Sequence, residues 1–489
     1  MTKNQKALMH TLIGVAFMLI FPRIGITLPH VTPVGMEVIA IFIGTIYLWT
    51  FIDPLVSSLI AIFMLALSSY APAANVLQQC FGNPTVVQMF FLMIFMGGLT
   101  QRKLTVYIAR WIMTRKFIEG KPWMFTGFML FGTYVMSVFI GAFAPIFLFW
   151  PVLYGVFEDV GFKKTDKYPK VMIIGVVVAA LLGFPVPPYM SNGLALLGNF
   201  RGLLPNFPTL QSMPGATISD ASYFIGCFIL GLVLLLVVVL VMKFIFKPDV
   251  SPLKNITIEM LNKNPLPPMS KSQKLYGFAL VGFVFTMLMP SLLPNLPVLN
   301  FLSKNSLAVA LGWCVVLTAI SFDDGPVLKF QAVMGQNFAW PTFFLCTAAI
   351  LLGAVLTNEK TGITPFLNAM LSPIFNGMSG TVFTLVLLGI ASVLTNICNS
   401  LVIGMILQPV VLTYCASAGV NPAPIITLLI FTVLLIAVCT PAASPFAAML
   451  FGNKEYLTSG DVYKYTLTIA VVEFIVIVVI GVPFINILI

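Results

Sequence analysis

Eleven apolar runs, most of them long enough to cross a lipid bilayer, leave this chain of 489 residues few ways to fold. A spanning helix needs about 20 apolar residues. Runs of that order occupy 8–29, 34–50, 54–70, 84–101, 171–200, 218–245, 275–295, 305–321, 341–357, 424–452 and 467–488. They are continuous, without the alternation of a lipid-facing barrel strand. In lipid the backbone has no water to bond, so each segment must satisfy its own N–H and C=O groups as a helix. Only 8% of the residues are charged, against about 25% in soluble domains. The chain is therefore predicted to be an all-α polytopic membrane protein with about 11 transmembrane helices. The run beginning near Leu8 lacks a small-residue cleavage site and the next span follows at once, so it reads as a retained helix and not a signal peptide.

The net charge of +10 is explained by its placement and needs no nucleic-acid partner. Two apolar stretches, 122–160 and 378–418, exceed one span and are interrupted in the middle. Read as re-entrant hairpins, they put the N-terminus in the cytoplasm and the C-terminus outside. That arrangement leaves 21 Lys and Arg inside and four outside (Arg23, Arg201, Lys304, Lys360), as the positive-inside rule requires. Threading either stretch as a single crossing reverses everything downstream and destroys the bias. A multi-pass protein of the plasma membrane is expected. The seven cysteines lie mostly within apolar runs, only Cys80 is expected in an exposed loop, and no disulfide framework is implied.

The chain matches itself at a nearly constant offset. Pro84-Thr85 pairs with Pro341-Thr342, and Leu99-Thr100 with Leu356-Thr357, both 257 residues on. Pro151 and Pro409, each closing the first half of an apolar run, are 258 apart, and Gly198-Asn199 and Gly452-Asn453 are 254 apart. The charges indicate that the repeats are inverted. Segment Gln101–Pro122 has six basic residues and its counterpart Asn358–Pro373 has one; Gly161–Lys170 has four lysines and Ala416–Asn421 none. The expected organisation is an N-terminal helix at 1–30, a first repeat at 31–247, a cytoplasmic linker at 248–274 and a second repeat at 275–489. Inverted repeats are a transporter architecture, with the substrate near the midplane at broken helices.

Each repeat has two places where a plain helix cannot continue. The hairpin tips read Ser137 to Pro145 and Thr395 to Leu401. The Pro-rich interruptions read Gly183-Phe-Pro-Val-Pro-Pro-Tyr-Met-Ser191-Asn192-Gly193 and Thr440-Pro441-Ala-Ala443-Ser444-Pro445. Proline removes a helical hydrogen bond and clashes with the preceding turn, so these segments should unwind. Half-helix N-termini at such breaks suit an anion. Ser191, Asn192, Pro441 and Ser444 are the candidates there. Hydroxyls and free carbonyls at the same places suit Na⁺, with Ser137, Thr395, Asn396, Asn399 and Ala443 as candidates. A single kink is more often a packing feature, and Asn396, Asn399 and Ser400 equally suit interhelical hydrogen bonding. Four breaks at repeat-equivalent positions favour a site. Asp53, Asp323, Asp324 and Glu359 fall near span ends as solvated boundary residues, and no metal cluster, nucleotide loop or nucleophile–base pair is seen.

This order of features resembles the divalent anion:sodium symporter family, in the wider ion transporter superfamily, over nearly the whole chain. The likeness rests on Asn83-Pro84 at the start of the fourth span, the basic segment after it, the hairpins with Pro151 and Pro409, and the closing Pro441 to Asn453 motif. It implies transport of di- and tricarboxylates or sulfate, Na⁺ as coupling ion, a homodimer, and an elevator motion of a transport domain past a scaffold. The family's Ser-Asn-Thr tips would contact substrate carboxylates. Alignment on the two prolines puts Gly141-Ala142-Phe143 and Asn399-Ser400-Leu401 there, so one tip has lost its side-chain oxygens and the other keeps a reordered pair. Ser137 and Thr395 keep the hydroxyl four residues upstream. The expected activity is carriage of small organic anions by Na⁺ coupling or anion exchange. A cation/proton antiporter would need a buried carboxylate at a break, and a membrane enzyme or scaffold a polar cluster facing one side.

Overall fold

The structure, a computed structural model, describes residues 3–257, 266–293, 295–366, 369–370 and 377–489. The linker expected at 248–274 and the segment Asn358–Pro373 lie partly outside the described residues. Helices begin where the sequence supplies a cap and often a proline. Proline at the first helical position loses an N–H that has no helical partner in any case. Thr32, Asp53 and Asn83 cap α2 (Pro33–Phe51), α3 (Pro54–Leu67) and α5 (Pro84–Gln101) in this way. They follow α1 (Lys3–Ile20) and flank the short α4 (Ala73–Phe81). The basic segment forms α6 (Leu104–Met113).

The first long apolar stretch folds as α7 (Pro122–Ile140) and α8 (Phe143–Asp159). Next come α9 (Lys167–Gly183), α10 (Ser191–Leu203) and α11 (Asp220–Phe246). The second half contains α12 (Lys271–Leu292), α13 (Pro297–Lys304) and α14 (Ser306–Ala319). It continues with α15 (Phe330–Asn337) and α16 (Trp340–Leu356), which meet at 81°. The second long stretch forms α17 (Gly380–Leu394) and α18 (Ser400–Ala418). The chain closes with α19 (Pro422–Leu435), α20 (Pro445–Gly452) and α21 (Ser459–Leu488). Eight of the described helices are long and apolar enough to span a membrane. Residues such as Phe278, Val281, Leu236 and Val479 expose apolar side chains on their outer faces. In a bilayer those faces meet lipid.

Both Pro-rich interruptions are breaks: helix stops at Gly183 and resumes at Ser191, and stops at Leu435 and resumes at Pro445. Pro151 and Pro409 sit inside α8 and α18. Proline is tolerated within membrane helices where neighbours and local adjustments re-satisfy the freed backbone group. Cys80, expected in an exposed loop, is 1% exposed in α4, and burial pushes its thiol up to about 12. The cause is the amphipathic turn of α4, which packs on α3 and α16.

The centre belongs to the two broken helices. Every residue of α19 is buried, as is α9 from Tyr168 with the exception of Lys170. Helices α7 and α8 pack on α9, and α17 and α18 pack on α19. Loop contacts sort into two ends. At one, Arg102 pairs with Asp324 at 2.5 Å, Lys164 with Glu455 at 2.6 Å, and Lys170 with Asp461 at 2.9 Å. Thr126 bonds Tyr168 there, and Lys243 lies over the Trp123 ring. At the other end Thr32 bonds Lys360, Asn206 bonds Thr357, and Asn421 bonds Gly215.

Candidate functional site

A cavity of about 330 Å³ lies where both hairpin tips meet both helix breaks. Its walls carry Gly141, Ala142, Phe143 and Ala144 from the first tip and Asn399 and Ser400 from the second. The breaks supply Phe184, Met190 and Asn192, and Ser444, Pro445 and Phe446. Four helices start at this cavity: α8 at Phe143, α10 at Ser191, α18 at Ser400 and α20 at Pro445. Among the described residues none that lines it is charged. The cavity's electrostatics therefore come from helix N-termini, whose unpaired N–H groups and dipoles favour an anion.

The four ends are not alike. Asn399 caps α18 by accepting from Leu401 N at 3.0 Å, and Ser444 caps α20 by accepting from Ala447 N at 3.1 Å. Helices α8 and α10 follow Ala142 and Met190, which offer no side-chain cap. The first repeat's ends thus present backbone donors that its own side chains leave open, while the second repeat's ends are partly satisfied. Gly141 makes the first tip possible, with φ 104° and ψ 155°, a region closed to residues bearing a Cβ. Three phenylalanines complete a wall: Phe446 lies 4.4 Å from Phe143 and 5.2 Å from Phe184, ring centre to ring centre.

The hydroxyls expected to hold a cation are engaged in holding helix ends. Ser137 Oγ donates to Ala180 O at 2.5 Å and Thr395 Oγ1 to Val433 O at 2.8 Å. Each acceptor belongs to the last helical turn before a break, where carbonyls lack intrahelical donors. The Asn396 amide bridges Ser392 O and Ile436 O, and its Oδ1 accepts from Cys439 N at 2.8 Å. Thr440 Oγ1 donates to Asn396 O. Ser444 Oγ donates to Ala437 O at 2.6 Å. Ala443 is buried in a small alanine cluster with Ala437 and Ala447, Leu401 is buried within α18, and Pro441 is exposed. None of these three lines the cavity. Ser191 opens α10, and its side chain lies outside the described residues.

Two further bonds cross between the halves of the chain. Asn199 Nδ2 donates to Gln408 Oε1 at 2.6 Å, and Asn453 Nδ2 to Tyr154 OH at 2.7 Å. Donors and acceptors are displaced by the same 254 positions with their roles exchanged between halves.

Sequence reasoning missed the wall made by α5 and the bend between α15 and α16, which bring Thr100, Asn337 and Thr342 to the cavity. It also missed Glu473 on α21, which is 1% exposed with neither carboxylate oxygen hydrogen-bonded. The available signal was a lone acid in the apolar run 467–488.

No curated protein matches this sequence. The fold is similar to that of the YdaH transporter of Alcanivorax borkumensis, with a TM-score of 0.58 and 14% identity over 86% of this chain and 90% of that one. The sodium:sulfate symporter transmembrane region matches residues 5–489. With almost its whole length matched, and with a membrane-spanning fold built around broken helices, this chain belongs to the sodium:sulfate symporter family of transporters.

Proposed function

We propose that this protein is a secondary carrier for small organic anions, with di- and tricarboxylates as the leading class, working by an elevator motion as a homodimer. The observation that carries the reading is the meeting of four helix N-terminal turns around one uncharged cavity, two of them without a side-chain cap. Open backbone donors bind a carboxylate or sulfate oxygen without a lysine or arginine, and so release it without breaking an ion pair. Gly141, Ala142, Phe143, Ser191, Asn192, Asn399, Ser400 and Ser444 form the substrate site in this reading. Phe143, Phe184 and Phe446 favour a substrate with an apolar portion.

The exchanged bonds Asn199–Gln408 and Tyr154–Asn453 support two inverted repeats at 31–247 and 275–489. The hairpins α7–α8 and α17–α18 are then re-entrant. The basic end that gathers Arg102, Lys164 and Lys170 is cytoplasmic by the positive-inside rule. That choice puts the N-terminus inside and the C-terminus outside a plasma membrane. Coupling runs through Na⁺ or by anion exchange. Ser137 and Thr395 donate their hydroxyl protons to Ala180 O and Val433 O and keep oxygen lone pairs, so with Asn396, Asn399 and the carbonyl of Ala443 they remain the Na⁺ ligands of this reading.

Uptake of labelled succinate, citrate and sulfate into proteoliposomes tests the assignment. Asn399→Ala and Ser400→Ala are expected to abolish uptake of whichever anion the unaltered protein carries, with membrane expression retained and stability lowered in Asn399→Ala by no more than the loss of one helix cap, about 0.5–2 kcal/mol. Unchanged uptake in both variants refutes the site.

A further inference from the structure

Helix α21 carries Glu473 in its buried stretch, 1% exposed, with no donor to either oxygen. Helices α9, α11, α19 and α20 pack on α21, α19 bringing no titratable group, and α17 approaches it where Gly389 faces Phe474. The titratable groups they bring are Lys167, Tyr168 and Lys170 on α9 and Asp220, Tyr223, Cys227 and Lys243 on α11; α17 and α20 bring none. On α21 itself they are Asp461, Tyr463, Lys464 and Tyr465. Lys170 is paired with Asp461, roughly 18 Å along the helix from Glu473. Asp220 is paired with Arg201, and the Tyr223 hydroxyl donates to Pro185 O. No cation answers Glu473 among the described residues.

The helix nevertheless has an address. Helix α20, which resumes after the second break, packs on α21. The helix that carries Glu473 thus lies behind the segment whose Ser444, Pro445 and Phe446 line the cavity. An unpaired carboxylate within a bilayer is costly and is kept for a use, commonly proton relay. Without donors, the neutral acid is the form this pocket tolerates.

We propose that Glu473 is a proton-binding site that couples proton movement to the anion cycle at the second break. One carboxylate oxygen takes a proton from water on one side of the membrane. The neutral acid is carried in the conformation described, and the proton is returned to water after the transport unit has moved. This rests on the carrier reading above. The proton adds to the Na⁺ coupling or anion exchange of that reading and does not use the hydroxyls of Ser137 and Thr395.

Two measurements on the full-length protein test it. Infrared spectra of the purified protein at neutral pH should contain a protonated-carboxyl C=O band that is lost in Glu473→Gln and shifted in Glu473→Asp. Proteoliposomes with an entrapped pH-sensitive dye should show proton movement driven by a succinate, citrate or sulfate gradient, lost in Glu473→Gln and kept in Glu473→Asp. A carboxyl band that persists in Glu473→Gln overturns the proposal, and so does anion movement by the unaltered protein without protons. A Glu473-dependent band in a protein that carries none of the three anions supports the proton site and refutes the carrier reading for those anions.

Discussion

Gly141→Ala isolates the backbone geometry on which the proposed anion site depends. At φ 104° and ψ 155° the residue occupies a region that essentially only glycine enters. Space is not the obstacle, because an added Cβ meets only Met190 Cε at 3.8 Å, an ordinary contact. The cost is therefore that of the dihedrals alone, about 1–3 kcal/mol. At about 1.4 kcal/mol per factor of ten, the observed tip loses roughly 5- to 150-fold in weight against relaxed alternatives. The tip sets the uncapped start of α8 at the cavity. Where its surroundings hold it, the loss falls on stability; where it relaxes, apparent anion affinity falls by the fraction of competent protein. The assay is thermal melting of the purified protein with a titration of succinate, citrate or sulfate. Gly127→Ala is the control: it lies inside α7 with nothing within 4 Å of an added Cβ, and should gain about 0.5–1 kcal/mol. If Gly141→Ala melts and binds like Gly127→Ala, the strained tip is not what builds the site.

Asn199→Leu or Gln408→Leu alone should each destabilise by about 1–3 kcal/mol, since the first leaves Gln408 Oε1 and the second Asn199 Nδ2 buried without this partner; the double variant should cost less than their sum. Additive losses in melting experiments would dissolve this link between α10 and α18. Thr165 and Ser417 are both exposed, Thr165 in the loop after α8 and Ser417 in the last turn of α18, within the two segments whose charges indicate inversion. Cysteines placed there should label with an impermeant thiol reagent from opposite faces of the membrane, and labelling from one face refutes the inverted repeat. The hydrogen bond from Ser272 holds the Asp324 carboxyl below its ordinary value of 3.8, opposed by partial desolvation and assisted by Arg102. A carboxyl lowered by folding stabilises above its unfolded value and loses that contribution as pH falls through the folded one. The melting advantage of the unaltered protein over Asp324→Asn should thus be full above 3.8 and shrink in more acid solution; an advantage independent of pH contradicts the pairing.

Much of the fold was legible because its determinants are local. The span read at 84–101 is the helix Pro84–Gln101, fixed by the Asn83 cap and the proline after it. The breaks before Ser191 and Pro445 announced themselves through prolines that no continuous helix accommodates. The cavity residues Gly141–Phe143, Asn192, Asn399, Ser400 and Ser444 were reachable from the same punctuation. What stayed hidden depends on tertiary partners. Pro341 reads as a helix start, and nothing beside it records that α15 meets α16 at 81° and brings Asn337 into the wall. Ser137 and Thr395 read as free ligands because their acceptors, Ala180 and Val433, lie 43 and 38 residues away. Glu473 stands alone in an apolar run, and only the packing of α9, α11 and α20 shows that no cation reaches it.

The central claim is that helix N-termini around the cavity bind an anion, and thermal stabilisation of the purified protein tests it most directly. Succinate, citrate and sulfate should be titrated with sodium and with choline as the counter-cation, in the unaltered protein and in Ala144→Trp, which fills the cavity beside the first tip. Saturable stabilisation by at least one anion, lost in Ala144→Trp, is the predicted result. Stabilisation that survives the filled cavity would place the anion elsewhere and contradict the account.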